Sequence, residues 1–245
     1  MTGGSRGIGA AIARAFAAAG DRVAIHYRDA GAAAAAVRDS LEGDGHVVVR
    51  ADLADAAAVR AMVDAAAAGL GGLDVLVNNA GIYPANPVLG ASYEEWQQAW
   101  RSTLDVNLVG AANVTWCAVR QMMAAAPGRS ARIVNVGSRG AFRGEPTHLA
   151  YGASKAALHA FGQSLAVALA PHGITVTSVA PGYVATDMTT AELATSAGDV
   201  IRAQSPLDRV ATPEEIAAAV LYLASPAAEW ASGAILDLNG ASYLR

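Results

Sequence analysis

The 245-residue chain is short of charge: Asp, Glu, Lys and Arg make up 16% of it, against roughly a quarter in an average soluble domain. With so little polar material to coat the outside, part of the surface is expected to be covered by another subunit. Lysine is nearly absent. Of the 17 basic residues only Lys155 is a lysine, and the rest are arginines. There is no run of Lys or Arg and the formal charge is −4, so the sequence offers no electrostatic footprint for nucleic acid or an anionic membrane. A single cysteine, Cys117, excludes an internal disulfide. No basic head and apolar core of a signal peptide is visible, and both features point to the cytoplasm. Long apolar spans are missing too. The longest uncharged stretch, Ala156 to Thr186, is broken by His159, Gln163, Ser164 and Pro171-His172-Gly173, leaving a helix too short for the roughly 20 residues of a membrane span.

What the chain does have is 53% hydrophobic residues, enough at this length for one α/β domain over residues 1–245. Apolar β-branched runs near 22–27, 46–50, 73–78, 131–137, 174–180 and 233–238 alternate with Ala-rich helical segments. That alternation predicts a doubly wound, mostly parallel sheet with helices on both faces. The runs LDVLVNN and RIVNVGS are nearly continuous in apolar character, as expected of strands buried on both faces. No Pro/Gly/Ser linker or charge block divides the chain. The one long irregular region, around 183–211 after Pro181-Gly182, is placed at the carboxyl ends of the strands and is expected to act as a lid.

Two constellations carry chemistry. TGGSRGIG presents Gly3, Gly7 and Gly9, with Ser5, Arg6 and Ile8 between them, directly before the helical stretch AAIARAFAAAG. Glycines there let the backbone approach a pyrophosphate, whose charge sits on the free N–H groups at the start of the helix. A glycine-rich turn without a ligand is the plainer alternative. Further on, Tyr151 and Lys155 stand four residues apart and share one helix face. Tyrosine, with an ordinary pKa of about 10, is a poor acid-base group near neutrality, and an adjacent ammonium favours its phenolate. The sole lysine of an arginine-rich chain stands at this position, where a compact ammonium suits the task and a guanidinium fork does not.

With these motifs the chain resembles the short-chain dehydrogenase/reductase family, and within it 3-oxoacyl-carrier-protein reductases and glucose dehydrogenases. The resemblance runs from Thr2 to the C-terminus and implies a Rossmann-like fold. It implies that the glycine motif holds the cofactor diphosphate and that Asp52 and Leu53 meet the adenine. Asn79, Ala80 and Gly81 would stabilise the strand beside the cofactor, and Pro181, Gly182, Val184 and Thr186 would meet the nicotinamide. Asn107, Ser138, Tyr151 and Lys155 match the family's catalytic tetrad. In that reading Tyr151 exchanges the proton, Ser138 bonds the reacting oxygen, Lys155 holds the ribose and depresses the tyrosine pKa, and Asn107 anchors a water leading to solvent. Taken singly, Ser138 is equally a strand-end hydroxyl and Asn107 a buried amide. Asp52 is equally a helix N-cap, and Asn78 an alternative core amide to Asn79. Arg139, Arg143, Glu145 and His148, between Ser138 and Tyr151, are open to substrate contact, with exposed loop residues the favoured reading.

Cofactor choice follows from charge. An NAD enzyme usually places an acid at the end of the second strand, whereas VAIHYR ends in Tyr27 and Arg28. Arg28 and Arg6 suit a 2′-phosphate, so NADP(H) is expected over NAD(H), with Asp29 pointing away. The substrate is a small carbonyl or alcohol compound; competing readings are a dinucleotide-binding member that has lost catalysis and a methyltransferase. Between Ala156 and Ala170 the active-site helix is apolar nearly all round, and Ala153, Ala157, Ala160 and Gly162 would let a second helix approach, so a homo-oligomer, a tetramer by resemblance, is expected. In the family a buried strand precedes the glycine motif, in the order 3-2-1-4-5-6-7. Here that central strand is missing, which would leave its two neighbours about 9–10 Å apart and places the expected start about 8 to 15 residues upstream.

Overall fold

The structure is a computed structural model that describes residues 1–124, 130–187 and 189–245. In chain order the elements are α1 (Gly7–Ala18), β1 (Ala24–Tyr27), α2 (Gly31–Asp39), β2 (Val47–Arg50), α3 (Ala56–Leu70), β3 (Val75–Asn78) and α4 (Tyr93–Leu104). A π-helical turn, Asp105–Gly110, leads into α5 (Ala111–Ala124), followed by β4 (Ala131–Val136), α6 (Gly140–Arg143), α7 (Leu149–Leu169) and β5 (Ile174–Pro181). The remainder is α8 (Thr190–Leu193), α9 (Ser196–Arg202), α10 (Pro213–Leu223) and β6 (Ile235–Leu238). All strand pairs are parallel. The α/β alternation expected from the sequence is therefore present, each strand starting within the run that predicted it and only β5 passing its end, by one residue, at Pro181. The segment after Pro181 differs from the irregular lid expected: it folds into α8 and α9, and Met188 lies outside the described residues.

Local signals explain the boundaries. Asp55 caps α3 by accepting from the N–H groups of Ala57 and Ala58, and Gly71, at φ 76°, ends the helix in the left-handed region that glycine tolerates. Thr212 and Glu215 form a reciprocal capping box at α10, with Pro213 in its first turn. One apolar layer packs α1 and α10 against the sheet through Ile12, Phe16, Ile216 and Val220; the other packs α3 and α5 through Val59, Val63, Val114 and Met122. β4 is buried along its whole length, as its continuous apolar run predicts. Helix α7 presents exposed Ala153, Ala156, Ala160 and Val167 on its outer side. Gly162 is not among them: a Cβ there would stand 2.8 Å from Asn135 Nδ2, so this glycine serves the sheet.

The sheet comes in two pieces, β2-β1 and β3-β4-β5-β6. Between β1 and β3 stand only the first residues of the chain. The Met1 carbonyl accepts from His26 N–H at 3.0 Å and the N–H of Thr2 donates to the Val77 carbonyl at 3.1 Å. Beyond this short bridge lies a half-open cavity of about 300 Å³, lined by Val23 and Ala24 of β1, Val75 and Leu76 of β3, and Met62, Ala66 and Ala118. Met1 and Thr2 thus link the two pieces in the place where the expected order puts its central strand. A cavity of this shape between parallel strands should accept one more. Joining a five-residue Val/Ile-rich segment to Met1 is expected to raise the melting temperature by several degrees, since each buried methylene contributes about 0.8 kcal/mol and about 1 kcal/mol shifts a domain of this size by about 2–4 °C. A Gly/Ser extension of equal length is the control, and equal melting temperatures for the two would refute the slot.

Candidate active site

Loops leaving β1 to β5 at their carboxyl ends enclose a cleft of about 750 Å³, the place where open α/β sheets bind ligands. At its floor, Gly3 and Gly7 adopt φ values of 62° and 53°, and a Cβ on Gly9 would stand 2.2 Å from the Gly3 carbonyl oxygen. Side chains at these points would close the turn into α1, whose first N–H groups have no side-chain cap and are left for an anion. The loop is held from both sides. Asn79 Nδ2 donates to the Thr2 and Gly3 carbonyls at 2.9 and 3.1 Å, while the N–H groups of Asn79 and Ala80 donate to Thr2 Oγ1 at 2.9 and 3.1 Å. From β1, His26 Nδ1 accepts the Gly3 N–H at 3.0 Å and Nε2 donates to the Ala51 carbonyl at 3.1 Å. This needs the neutral ring, and burial lowers the His26 pKa accordingly.

Ser5, Arg6 and Ile8 line the same floor, and Tyr27, Arg28, Asp52 and Leu53 line the end beyond it. Asp29 does not point away as expected. It lines the cleft and accepts from Arg28 Nε at 2.6 Å, an exposed pair that partly offsets the guanidinium charge. Asp52 accepts from its own Ala54 N–H at 3.0 Å, and the cap of α3 is Asp55. Both asparagines find work: Asn78 donates to Thr115 Oγ1 and Asn135 Oδ1 in the core, and Asn79 holds the glycine loop.

At the opposite end, α7 brings Tyr151 and Lys155 to the cleft one turn apart, and Pro181, Gly182, Val184 and Thr186 close over it. The Lys155 ammonium is buried, donates to the Val136 carbonyl at 2.8 Å and stands 5.7 Å from the centre of the Tyr151 ring. Burial lowers its pKa to about 8. The expected depression of the tyrosine is reversed. Burial pushes the Tyr151 phenol up to about 12, and the hydrogen bond to the Ser138 hydroxyl offsets only part of this. Ser138 also accepts from Gly140 N–H at 2.9 Å. Asn107 does not line the cleft. Its amide, in the π-helical turn, is spent on Ile82 N–H at 2.8 Å, the Ile82 carbonyl at 3.0 Å and Ser154 Oγ at 3.1 Å. It lies behind Gly81, where a Cβ would be 3.3 Å from Asn107 Oδ1 and 3.5 Å from Lys155 Nζ.

Sequence reasoning missed Tyr83 and favoured exposure for its partners on the other wall. Tyr83 stacks on His148 with ring centres 3.6 Å apart, meets Tyr151 edge-on at 4.5 Å, and donates to Glu145 Oε2 at 3.1 Å. Of the four residues read as exposed loop, only Arg143 is so; Glu145 and His148 are half-buried and Arg139 is 5% exposed. The signal available was proximity to Ser138 and Tyr151 in the chain, which says nothing about which way a loop folds.

Comparison with known proteins accords with this architecture. Residues 3–240 match the family described as enoyl-(acyl carrier protein) reductase, and the chain belongs to the short-chain dehydrogenase/reductase family of oxidoreductases. It is 40% identical to cis-4-hydroxycyclohexanecarboxylate dehydrogenase of Sinomonas cyclohexanicum, over 98% of this chain and 94% of that one. It is 37% identical to a 3-oxoacyl-(acyl-carrier-protein) reductase of Staphylococcus aureus, over 100% and 97%. A short-chain dehydrogenase from Burkholderia cenocepacia, solved in complex with NADP, superposes with a TM-score of 0.88 at 37% identity, covering 99% of this chain and 96% of that one. No described helix is long and apolar enough to cross a membrane.

Behind Ser138 sits an unexpected titratable group. His159, one turn after Lys155, is 2% exposed, stacks on Phe142, and fills the space that a Cβ on Gly137 would need. Burial, with the Lys155 and Arg245 cations, lowers its pKa from 6.5 to about 4. Between those values the unfolded chain binds a proton that the folded chain refuses, so stability from the neutral ring is full above pH 6.5 and is lost as pH falls toward 4. The loss should reach about 3 kcal/mol, at about 1.4 kcal/mol per pKa unit. Denaturant unfolding at pH 7.5 and 4.5 is expected to show a smaller drop in His159→Phe than in the parent chain, and parallel profiles would remove this assignment.

Proposed function

We propose that the chain is an NADP(H)-dependent oxidoreductase that interconverts a small carbonyl compound and its secondary alcohol, with Tyr151 as general acid and base. One observation carries the reading: the Tyr151 phenol, the Ser138 hydroxyl and the Lys155 ammonium converge on one end of a cleft whose floor is the glycine turn into α1. The tight turn that only glycine at positions 3 and 9 permits, and the uncapped start of α1, fit a dinucleotide diphosphate. Asp52 and Leu53 would hold its adenine, and Pro181, Gly182, Val184 and Thr186 its nicotinamide end. The bound nicotinamide would supply or accept the hydride.

The protein's part is proton and charge. In reduction, negative charge develops on the substrate oxygen, and a donor positioned there stabilises it. A phenol with its pKa pushed up to about 12 stays protonated at neutral pH and is available to donate. Ser138 would share the same oxygen, and Lys155 would hold the ribose and return the proton. With its amide engaged, Asn107 acts by fixing Ile82 and Ser154 around Gly81, and any water it anchors would sit on its main chain, where the π-helical turn departs from the regular ladder. Tyr151→Phe is expected to bind NADPH as the parent does while turnover with a reducible carbonyl falls by about two to four orders of magnitude, the scale of a positioned acid. Turnover within threefold of the parent would remove the central role of this phenol.

The preference for NADP(H) rests on Arg6, exposed at the start of α1, and Arg28 at the end of β1, both on the cleft. Asp29 tempers Arg28. Removing Arg28 should cost NADPH about tenfold or more in affinity, as expected of a charged hydrogen bond, and leave NADH nearly untouched. An NADPH/NADH ratio of kcat/KM unchanged in Arg28→Ala would assign the preference elsewhere.

A further inference from the structure

Resting on that carbonyl-reductase reading, the geometry points to Arg139 as the residue that selects substrates carrying a carboxylate. Arg139 directly follows Ser138, and its N–H donates to the Pro181 carbonyl at 2.8 Å, so it is fixed at the end of β4 beside the reacting groups. Arg139 is 5% exposed and lines both that cleft, with Tyr151 and Ser138, and the adjoining pocket that holds Ser242. Buried there, the guanidinium meets a neutral hydroxyl, Ser242 Oγ at 2.5 Å, and stands 5.6 Å from the centre of the Tyr183 ring. No carboxylate among the described side chains lies within ion-pair distance of it, although the more accessible Arg28, Arg38, Arg202 and Arg209 each have one.

A buried cation without an anion is costly, and a guanidinium is built to bind a carboxylate through two parallel hydrogen bonds. Glu145, the nearby acid, already accepts from Tyr83, and burial with the Arg143 cation disfavours the charge on Arg139. The cleft is thus short of one negative charge at the substrate end. A single charge fits better than two. Arg143 is exposed and bonds Gln204, leaving one guanidinium for the ligand, and Glu145 would repel a phosphate dianion. The wall formed by Tyr83, His148 and Tyr151 limits the remainder of the substrate to a short or flat body. The chemistry is unchanged: a hydride reaches the carbonyl carbon, the phenol proton reaches the oxygen, and the carboxylate takes no part beyond binding.

Three oxo acids of different reach, 3-oxobutanoate, 4-oxopentanoate and 5-oxohexanoate, and their neutral amides provide the test, with NADPH consumption as the readout. At least one acid is expected to exceed its amide about tenfold in kcat/KM, mainly through KM, with the ratio falling to one or less in Arg139→Met. Ser242→Ala, which removes the contact to the C-terminal segment and keeps the guanidinium, should retain the preference. Amides reduced as well as acids by the parent chain at all three lengths, or an unchanged ratio in Arg139→Met, overturns the proposal. Calorimetric titration with pentanoate and pentanamide reads the anion site without turnover. Pentanoate alone should bind the parent chain, and equal binding of both also overturns the proposal, whether or not Arg139→Met folds. Were no carbonyl reduced while pentanoate still bound, the reductase reading would fail and the anion site would stand.

Discussion

The hydrogen bonds around Thr2 and Gly3 join the two pieces of the sheet and set the turn into α1. Across this seam the N–H of Thr2 reaches Val77 and its hydroxyl accepts from Asn79 and Ala80, while His26 takes the Gly3 N–H from the other side. Two sheet pieces that share no strand pairing are joined there. The same contacts set the glycine turn, so the position of α1 and the floor of the cleft follow from them. Buried polar groups of this kind tolerate no half measures, because each unpaired partner carries its full desolvation cost. His26 must stay neutral and Asn79 must present its amide in one orientation for the loop to stand.

Desolvation also decides the chemistry at the other end. It works in opposite directions on the two central groups, raising the phenol of Tyr151 and lowering the ammonium of Lys155. Both shifts favour the neutral form. A proton is therefore held on the phenol, and the lysine is brought within reach of neutrality. From sequence, the proximity of a cation suggested the reverse for Tyr151. Spacing gives which groups are neighbours; burial, which spacing does not give, sets the sign.

That contrast marks how far the residues could be read in advance. Strand positions, the glycine turn and the pair on α7 were legible because each is a short-range pattern: apolar runs bounded by turns, glycines before a helix, two side chains one turn apart. Each depends on neighbours in the chain. The orientation of Arg139, the stacking of Tyr83 on His148, the use of His26 as a loop anchor and the embrace of Arg28 by Asp29 depend on segments distant in sequence or on loop geometry. Gly162 shows the same limit, since a small residue on a helix suits a helix partner and a sheet equally well, and only the packed structure places it against Asn135.

The seam between β1 and β3 runs beneath the cleft, with Arg28 and Asp52 on one bank and Tyr151 and Lys155 on the other. A ligand long enough to span the cleft therefore touches both pieces and acts as a clasp. By mass action, whatever binds only the closed form adds to the apparent stability in proportion to the logarithm of its concentration over its dissociation constant, about 2.7 kcal/mol at a hundredfold excess. Durability of the fold and occupancy of the cleft thus become linked quantities.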